Sequence, residues 1–284
     1  MTNTRTSTEG VLTVPALITA FLLVAIPAAA QFLQDSNARA GVPDWEVDPD
    51  FKTDVFTFAR VQYSAIDWGN RGGFGGWGQN RWATDYPDAE LNLAFRLQQM
   101  TSLKVNPEAA IVRLAEDDLS LYPFLYIVEP GALEFTEDEL VALRNYLLNG
   151  GFLMLDDFWG EGEWQNVAMQ MDRLFPNREL IDLDIDHPIF HIIFDLKEKP
   201  QVPGIHFAQR FRGTGRTWED ESNTEAHYRA VFDDKGRMML IVCQNTDLGD
   251  GWEREGEFEW YFRDFAEKLA YPMAINIIFY AMTH

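Results

Sequence analysis

Cysteine is almost missing from this 284-residue chain, where Cys243 is the single example. One thiol excludes an internal disulfide and a cysteine-built metal site. It sits inside the apolar run Met239-Leu240-Ile241-Val242-Cys243, which predicts a buried small hydrophobe rather than a nucleophile. Positive charge is scarce as well, with 23 Lys and Arg against 45 Asp and Glu and a formal charge of -22. Nucleic acid needs Lys and Arg to replace its counterions, so it is excluded as a partner, and adsorption to anionic lipid is disfavoured. Acidity of this size is compatible with solubility, with cation binding or with a basic partner. Disorder is excluded too, because 46% of residues are hydrophobic and 14% aromatic, enough for a core.

A long uncharged apolar run, Val11 to Ala30, stands at the start and closes in Ala28-Ala29-Ala30. Small residues at Ala28 and Ala30 fit a signal-peptidase site, and the length nearly suffices for an uncleaved anchor. Either way the folded part is expected outside the cytoplasm, in a bacterial envelope, periplasmic or held at the membrane by that segment. Residues 31–53, with Pro43 and Pro49, read as a polar linker outside the core. The domain itself is expected over 54–284.

The clearest pattern lies between Phe124 and Asp157. Phe124-Leu125-Tyr126-Ile127-Val128 is a continuous apolar run of the kind a strand covered on both faces requires. Thr136 and Glu139 have capping-box spacing, with Phe135 and Leu140 at the staple positions, and the helix they start runs through Leu143 and Leu147 to Gly150-Gly151. Phe152-Leu153-Met154-Leu155 follows and ends in Asp156-Asp157. Two such strands joined by a helix predict a parallel pair with a right-handed crossover. In parallel sheets ligands bind beyond the carboxyl ends of the strands, which is where this aspartate pair falls.

The rest of the chain supplies further candidates. Val55 to Tyr63 reads as the first strand and carries Arg60 and Tyr63. The segment from Asp67 to Trp82 is dense in Gly, Trp and Arg, yet has neither the spacing nor the Lys-Ser/Thr ending of a P-loop. Its Trp77 and Trp82 either stack on a sugar or peptide or tuck back onto the body. Asp85 is expected to cap the helix that contains Leu91 to Leu97, with Tyr86 beside it. Leu103-Lys104-Val105 suggests a short strand, Trp164 to Phe175 a helix, and Tyr228–Phe232 with Arg237–Cys243 a hairpin. Asp186-His187-Pro188 is a loop that presents His187. Arg210, Arg212 and Arg216 form a local basic cluster in an irregular stretch from Gly204 to Ser222. Gln244 to Trp252, carrying Asp247 and Trp252, reads as a loop at a strand end, and Phe258 to His284 as a helix pair or a helix kinked at Pro272.

Five of these segments together resemble one bacterial family, domain of unknown function 4159: Phe58-Ala59-Arg60-Val61-Gln62-Tyr63, Thr84-Asp85-Tyr86-Pro87-Asp88-Ala89-Glu90-Leu91-Asn92, Gly150 to Asp157, Asp186-His187-Pro188-Ile189-Phe190 and Asn276-Ile277. The resemblance spans Asp54 to His284. It implies a flavodoxin-like three-layer α/β sandwich with a mostly parallel sheet, of the class I glutamine amidotransferase-like type. Enzymes of that type place a cysteine on an elbow after a central strand and a His-x-Glu pair later. Here Asp156-Asp157 stands at the elbow, and none of the five histidines is followed by x-Glu. Glutaminase chemistry therefore lacks its attacking group.

Three functions stay open at this level, one of them a part in an envelope assembly whose neighbours the sequence does not show. Another is an envelope binding or scaffold module that recognises a glycan, peptide or protein through Arg60, Tyr63, Trp77, Trp82, Asp85, Tyr86, Asp247 and Trp252. The third is a hydrolase that uses Asp156, Asp157 and His187. No organic cofactor is evident, and a divalent cation suits the oxygen-rich candidates.

Overall fold

The computed structural model describes Met1 and residues 41–51, 54–66 and 78–284. The expected targeting segment, most of the linker's first half and Trp77 lie outside the described residues. Among those described, no helix is long and apolar enough to cross a membrane.

Seven strands form one sheet: β1 (Ala59–Val61), β2 (Ala110–Val112), β3 (Phe124–Val128), β4 (Phe152–Asp156), β5 (Ile181–Asp182), β6 (His227–Phe232) and β7 (Met238–Gln244). Their order is β2-β1-β3-β4-β7-β6-β5. The first five in that order run parallel, and β6 and β5 extend the sheet antiparallel beyond β7. The parallel pairing expected for Phe124–Val128 and Phe152–Asp156 is observed, with Phe124 opposite Phe152 and Val128 opposite Asp156.

Helices cover both faces, as continuous apolar strands require. Leu125, Ile127, Leu153, Leu155, Leu240 and Val242 point to the face packed by α2 (Glu137–Leu148) and α3 (Gly160–Leu174). The alternate residues Phe124, Tyr126, Phe152, Met154, Ile241 and Cys243 point to the other face. That face is packed by α1 (Asp88–Met100), α4 (Ile205–Arg210), α5 (Leu248–Glu253) and a C-terminal helix. Each large strand side chain removed from water contributes about 1.5–3 kcal/mol, so both faces are needed to hold so short a set of strands. The α2 capping box forms as its spacing predicts, with Thr136 accepting from the Glu139 N–H and Glu139 accepting from the Thr136 N–H.

Several expectations are corrected. Leu103 to Val105 makes only an isolated bridge, Val105 to Phe56, and the edge strand is Ala110–Val112. Its burial is uneven, with Ile111 exposed, so it lacks the apolar signature of the central strands. The stretch after Gly204 folds into α4, and Leu248–Glu253, read as loop, folds into α5. The C-terminal segment is one continuous helix, α6, with parts Glu259–Tyr261, π-helical Phe262–Ala270 and Tyr271–Thr283. Pro272 falls in the first turn after the π-helical part, where the hydrogen-bonding pattern of the helix changes. Part of the expected linker joins the core: Trp45 donates its indole N–H to the Val105 carbonyl at 2.7 Å and packs on Phe95 at 6.0 Å.

From β1 the chain crosses to β2 on one side and to β3 on the other, so the winding reverses between β1 and β3. Crossovers on opposite sides leave a crevice beyond the carboxyl ends of these strands.

Candidate functional site

The strand ends at that edge share an unusual backbone. β3, β4 and β7 are each followed at once by a non-glycine residue in the left-handed region: Glu129 at φ 46°, Asp157 at φ 60° and Asn245 at φ 58°. Asp85 at φ 63°, just ahead of α1, is the fourth. Such residues cost roughly 1 kcal/mol or more apiece and persist where the surroundings over-determine them, commonly at functional sites. The surroundings here are backbone bonds between neighbouring strand ends. Glu129 N–H donates to Asp156 O at 3.0 Å, Asp157 N–H to Thr246 O at 3.2 Å, and Asn245 N–H to Phe158 O at 2.9 Å.

The result is a convergence of carboxylates. One oxygen each from Asp85, Asp157 and Asp247 lies within 4.8 Å of the other two, and Asp85, Asp250 and Glu253 form a second group of the same size. Asp247 is buried at the head of α5, where its Oδ1 accepts from the Asp250 N–H at 2.7 Å. Asp157 Oδ1 accepts from the Trp159 indole at 3.1 Å. Asp156 is 0% exposed. Its Oδ2 accepts from the Tyr126 hydroxyl at 3.2 Å and the Gly249 N–H at 3.1 Å, while Oδ1 has no hydrogen-bond partner. Asp85 Oδ2 is buried and also without a partner.

Burial and mutual repulsion raise the proton affinity of these groups. Asp85, Asp157 and Asp247 are all held well above the usual carboxyl range, first by desolvation and next by a neighbouring carboxylate, Asp250 for Asp85, Glu129 for Asp157 and Asp157 for Asp247. Burial lifts Asp156 to about 7 against the hydrogen bonds it accepts. Burial likewise lifts Glu219, whose carboxylate accepts from the Gly204 N–H at 2.8 Å, to about 7.

The sequence candidates divide into groups. Asp156, Asp157, Asp85 and Asp247 come together. Asp85 does not cap α1, as its position suggested: Pro87 occupies the N-cap, no side chain caps that end, and the left-handed turn frees the Asp85 carboxylate for the cluster. Arg60, 0% exposed, pairs with Glu90 and donates from Nη1 to the carbonyls of Trp82 at 2.9 Å and Thr84 at 2.6 Å. It thereby fixes the segment that carries Asp85. Tyr63 holds the Glu129 turn, its hydroxyl donating to Val128 O and Glu129 O. Trp82 and Tyr86 lie 6.4 Å apart beside Arg60, with Tyr86 38% exposed.

Two candidates are placed elsewhere. Trp252 is 1% exposed and packs on Tyr126 inside the core. His187 caps the short 3-10 turn at Pro188 and lies against Phe232. Phe232 pairs with Met238 at the start of β7, the sheet edge opposite Asp157. The joint use of His187 with the aspartates is therefore not formed. Cys243 is buried within β7, as its apolar run implied.

The sequence reading missed Asp250, Glu253, Glu129 and Glu219. Their one available signal was the Asp247-x-x-Asp250 spacing, which matches a cap residue and its first turn. Gly249 was unremarked as well. A Cβ there would stand 2.7 Å from Asp85 Oδ2 and 2.9 Å from the Tyr126 hydroxyl. Gly249→Ala should therefore displace Asp85 and destabilise the fold by about 1–3 kcal/mol, the usual cost of overpacking, as read from urea melts. A melt indistinguishable from wild type would show that the cluster is looser than these distances imply.

A comparison with curated proteins finds no match to the chain. A family model does match, over residues 57–282, described as a domain of unknown function. The match takes in β1 through all but the last residue of α6, including every described residue of the carboxylate edge. The chain belongs to the family of domain of unknown function DUF4159.

Proposed function

We propose that this protein is a non-glutaminase binding module that receives a positively charged ligand at the carboxyl edge of its sheet. One observation carries the reading: Asp85, Asp157 and Asp247, from three separate segments, aim oxygens at one point, with no Lys or Arg ion-paired to any of them among the described residues. Like charges brought together at the expense of strained backbone call for a cation to offset them.

The finer fold is read as flavodoxin-like and amidotransferase-like. Supporting it are the parallel order β2-β1-β3-β4-β7, which corresponds to the doubly wound 2-1-3-4-5 arrangement, and helices on both faces. The elbow position after β4 carries Asp157 instead of a thiol, which is why binding is favoured over acyl transfer. Trp82 and half-exposed Tyr86 flank the same edge and offer apolar faces to a glycan, peptide or protein partner of the ligand. Export to the envelope is part of the proposal and rests on the Val11–Ala30 run with its Ala28-Ala29-Ala30 end.

The test is a thermal-shift screen of the full chain against divalent metal chlorides, spermidine, Lys-rich peptides and, as negatives, phosphate and citrate. Binding to the native state raises the melting temperature, with a stabilisation that grows as the logarithm of ligand concentration over Kd. Cationic ligands should raise it and the anions should not. A rise with the anions alone, or with nothing, would overturn the reading.

A further inference from the structure

Resting on that reading, we infer that the ligand is a hard divalent metal ion, held by Asp85, Asp157 and Asp247 as one mononuclear centre. Distance supports it first. Oxygens that share a cation at 2.0–2.6 Å lie at most about 4–5 Å from each other. The three carboxylate oxygens meet that condition, all within 4.8 Å.

A second observation is independent of the cluster's charge. Asp85 Oδ2 is buried with no hydrogen-bond donor, and one point, the Cβ position at Gly249, lies 2.7 Å from it and 3.6 Å from Asp247 Oδ1. Asp156, 0% exposed, lies next to this group, its Oδ2 taking the Gly249 N–H. Gly249 is the residue whose missing Cβ leaves room for Asp85 Oδ2. Buried carboxylate oxygens are ordinarily satisfied, so the donor-free Asp85 oxygen marks where a coordinating ion belongs.

The neighbouring group explains why one ion is expected rather than two. Asp250 and Glu253, which share Asp85 with the first group, already have a cation of their own. Arg254 Nε stands 3.0 Å from Asp250 Oδ1 and 2.7 Å from Glu253 Oε2. The other Asp250 oxygen accepts from the Ile205 N–H. The guanidinium thus occupies the second group, whereas no Lys or Arg is ion-paired to Asp85, Asp157 or Asp247 among the described residues.

Ligand chemistry narrows the ion. All three donors are carboxylates, and no histidine or cysteine belongs to either group. Oxygen-only sites favour magnesium, calcium or manganese over zinc or copper. Three carboxylates exceed what a monovalent ammonium neutralises, so a divalent ion suits the charge better than an amine.

Calorimetric titration of the EDTA-stripped full chain separates the outcomes, with MnCl2, CaCl2, MgCl2 and spermidine as probes. The expected result is one metal ion per chain, with affinity at least about tenfold weaker in Asp157→Asn and in Asp247→Asn. Asp182→Asn, which breaks an ion pair with Lys199 at the far β5 edge, should bind as wild type. Metal-free melts of the two site variants check folding, and they should be as stable as wild type or more so, because like-charge repulsion is relieved. Spermidine binding without metal binding would overturn the metal centre and leave the cation-receiving site intact. Two metal ions per chain would overturn the mononuclear assignment, and metal affinity unchanged in both variants would overturn the ligand set. No binding by any probe would overturn both readings.

Discussion

Arg60→Met should be among the most damaging single changes in the protein, costing about 3–5 kcal/mol of stability. The reason is the partner left behind. Glu90 is 1% exposed and its charge is offset within the core by Arg60. A buried ion that loses its counter-ion keeps the full desolvation cost, whereas replacing both members with apolar residues of similar size is often neutral. The double variant Arg60→Met with Glu90→Met should therefore recover most of the lost stability in a denaturant melt. It should not recover the site. Arg60 also clamps the carbonyls of Trp82 and Thr84, and without those bonds Asp85 is no longer held over Asp157 and Asp247. Stability restored with cation affinity still lost is the expected split. Affinity returning with stability would show that Arg60 serves the core alone.

The second large effect is on the pH dependence of the metal-free protein. Asp156 ionises at about 7 in the folded chain, raised by burial, against roughly 4 in an unfolded chain. Between those values the folded state binds more protons than the unfolded state, so stability must fall as pH rises through that window. Glu219 at about 7 and Glu253 at about 8, both raised chiefly by burial, act in the same direction. With EDTA present, the melting temperature should decline from pH 5 to pH 8. Asp156→Asn removes one of these titrations while its amide oxygen still accepts from Tyr126 and Gly249. At pH 8 it should melt higher than wild type by on the order of 2 kcal/mol, about 4–8 °C for a domain of this size, with little difference at pH 5. A variant that is less stable at both pH values would mean that Asp156 is ionised and satisfied in the native state.

How much of this was legible in the chain alone depends on whether the signal was local. The β3–α2–β4 unit could be read because each part carries its own cue: two continuous apolar runs, a Thr136–Glu139 box and a Gly150-Gly151 stop. The placement of Asp156-Asp157 at the carboxyl edge followed from that unit. Strand β2 could not be read, since three residues at an edge with Ile111 facing water lack a period to detect. Helix α5 was hidden by Gly249 and Gly251, which are poor helix formers. Gly251 is there because a Cβ would come within 2.5 Å of Ala270, and Gly249 because of Asp85. Asp85 itself satisfied the local rule for a cap and was taken elsewhere by a tertiary demand, a left-handed turn fixed through Arg60. His187 shows the converse. Its local setting looked like a presented side chain, but only the antiparallel direction of β6, invisible within the motif, puts it at the opposite edge.

Anomalous diffraction from crystals of the full chain grown with MnCl2 is the most direct examination of the carboxylate edge. A single manganese peak is expected about 2.0–2.3 Å from one oxygen each of Asp85, Asp157 and Asp247, at the carboxyl ends of β4 and β7. A map with no peak there, and the three carboxylates turned apart or bound to Lys or Arg, would contradict it.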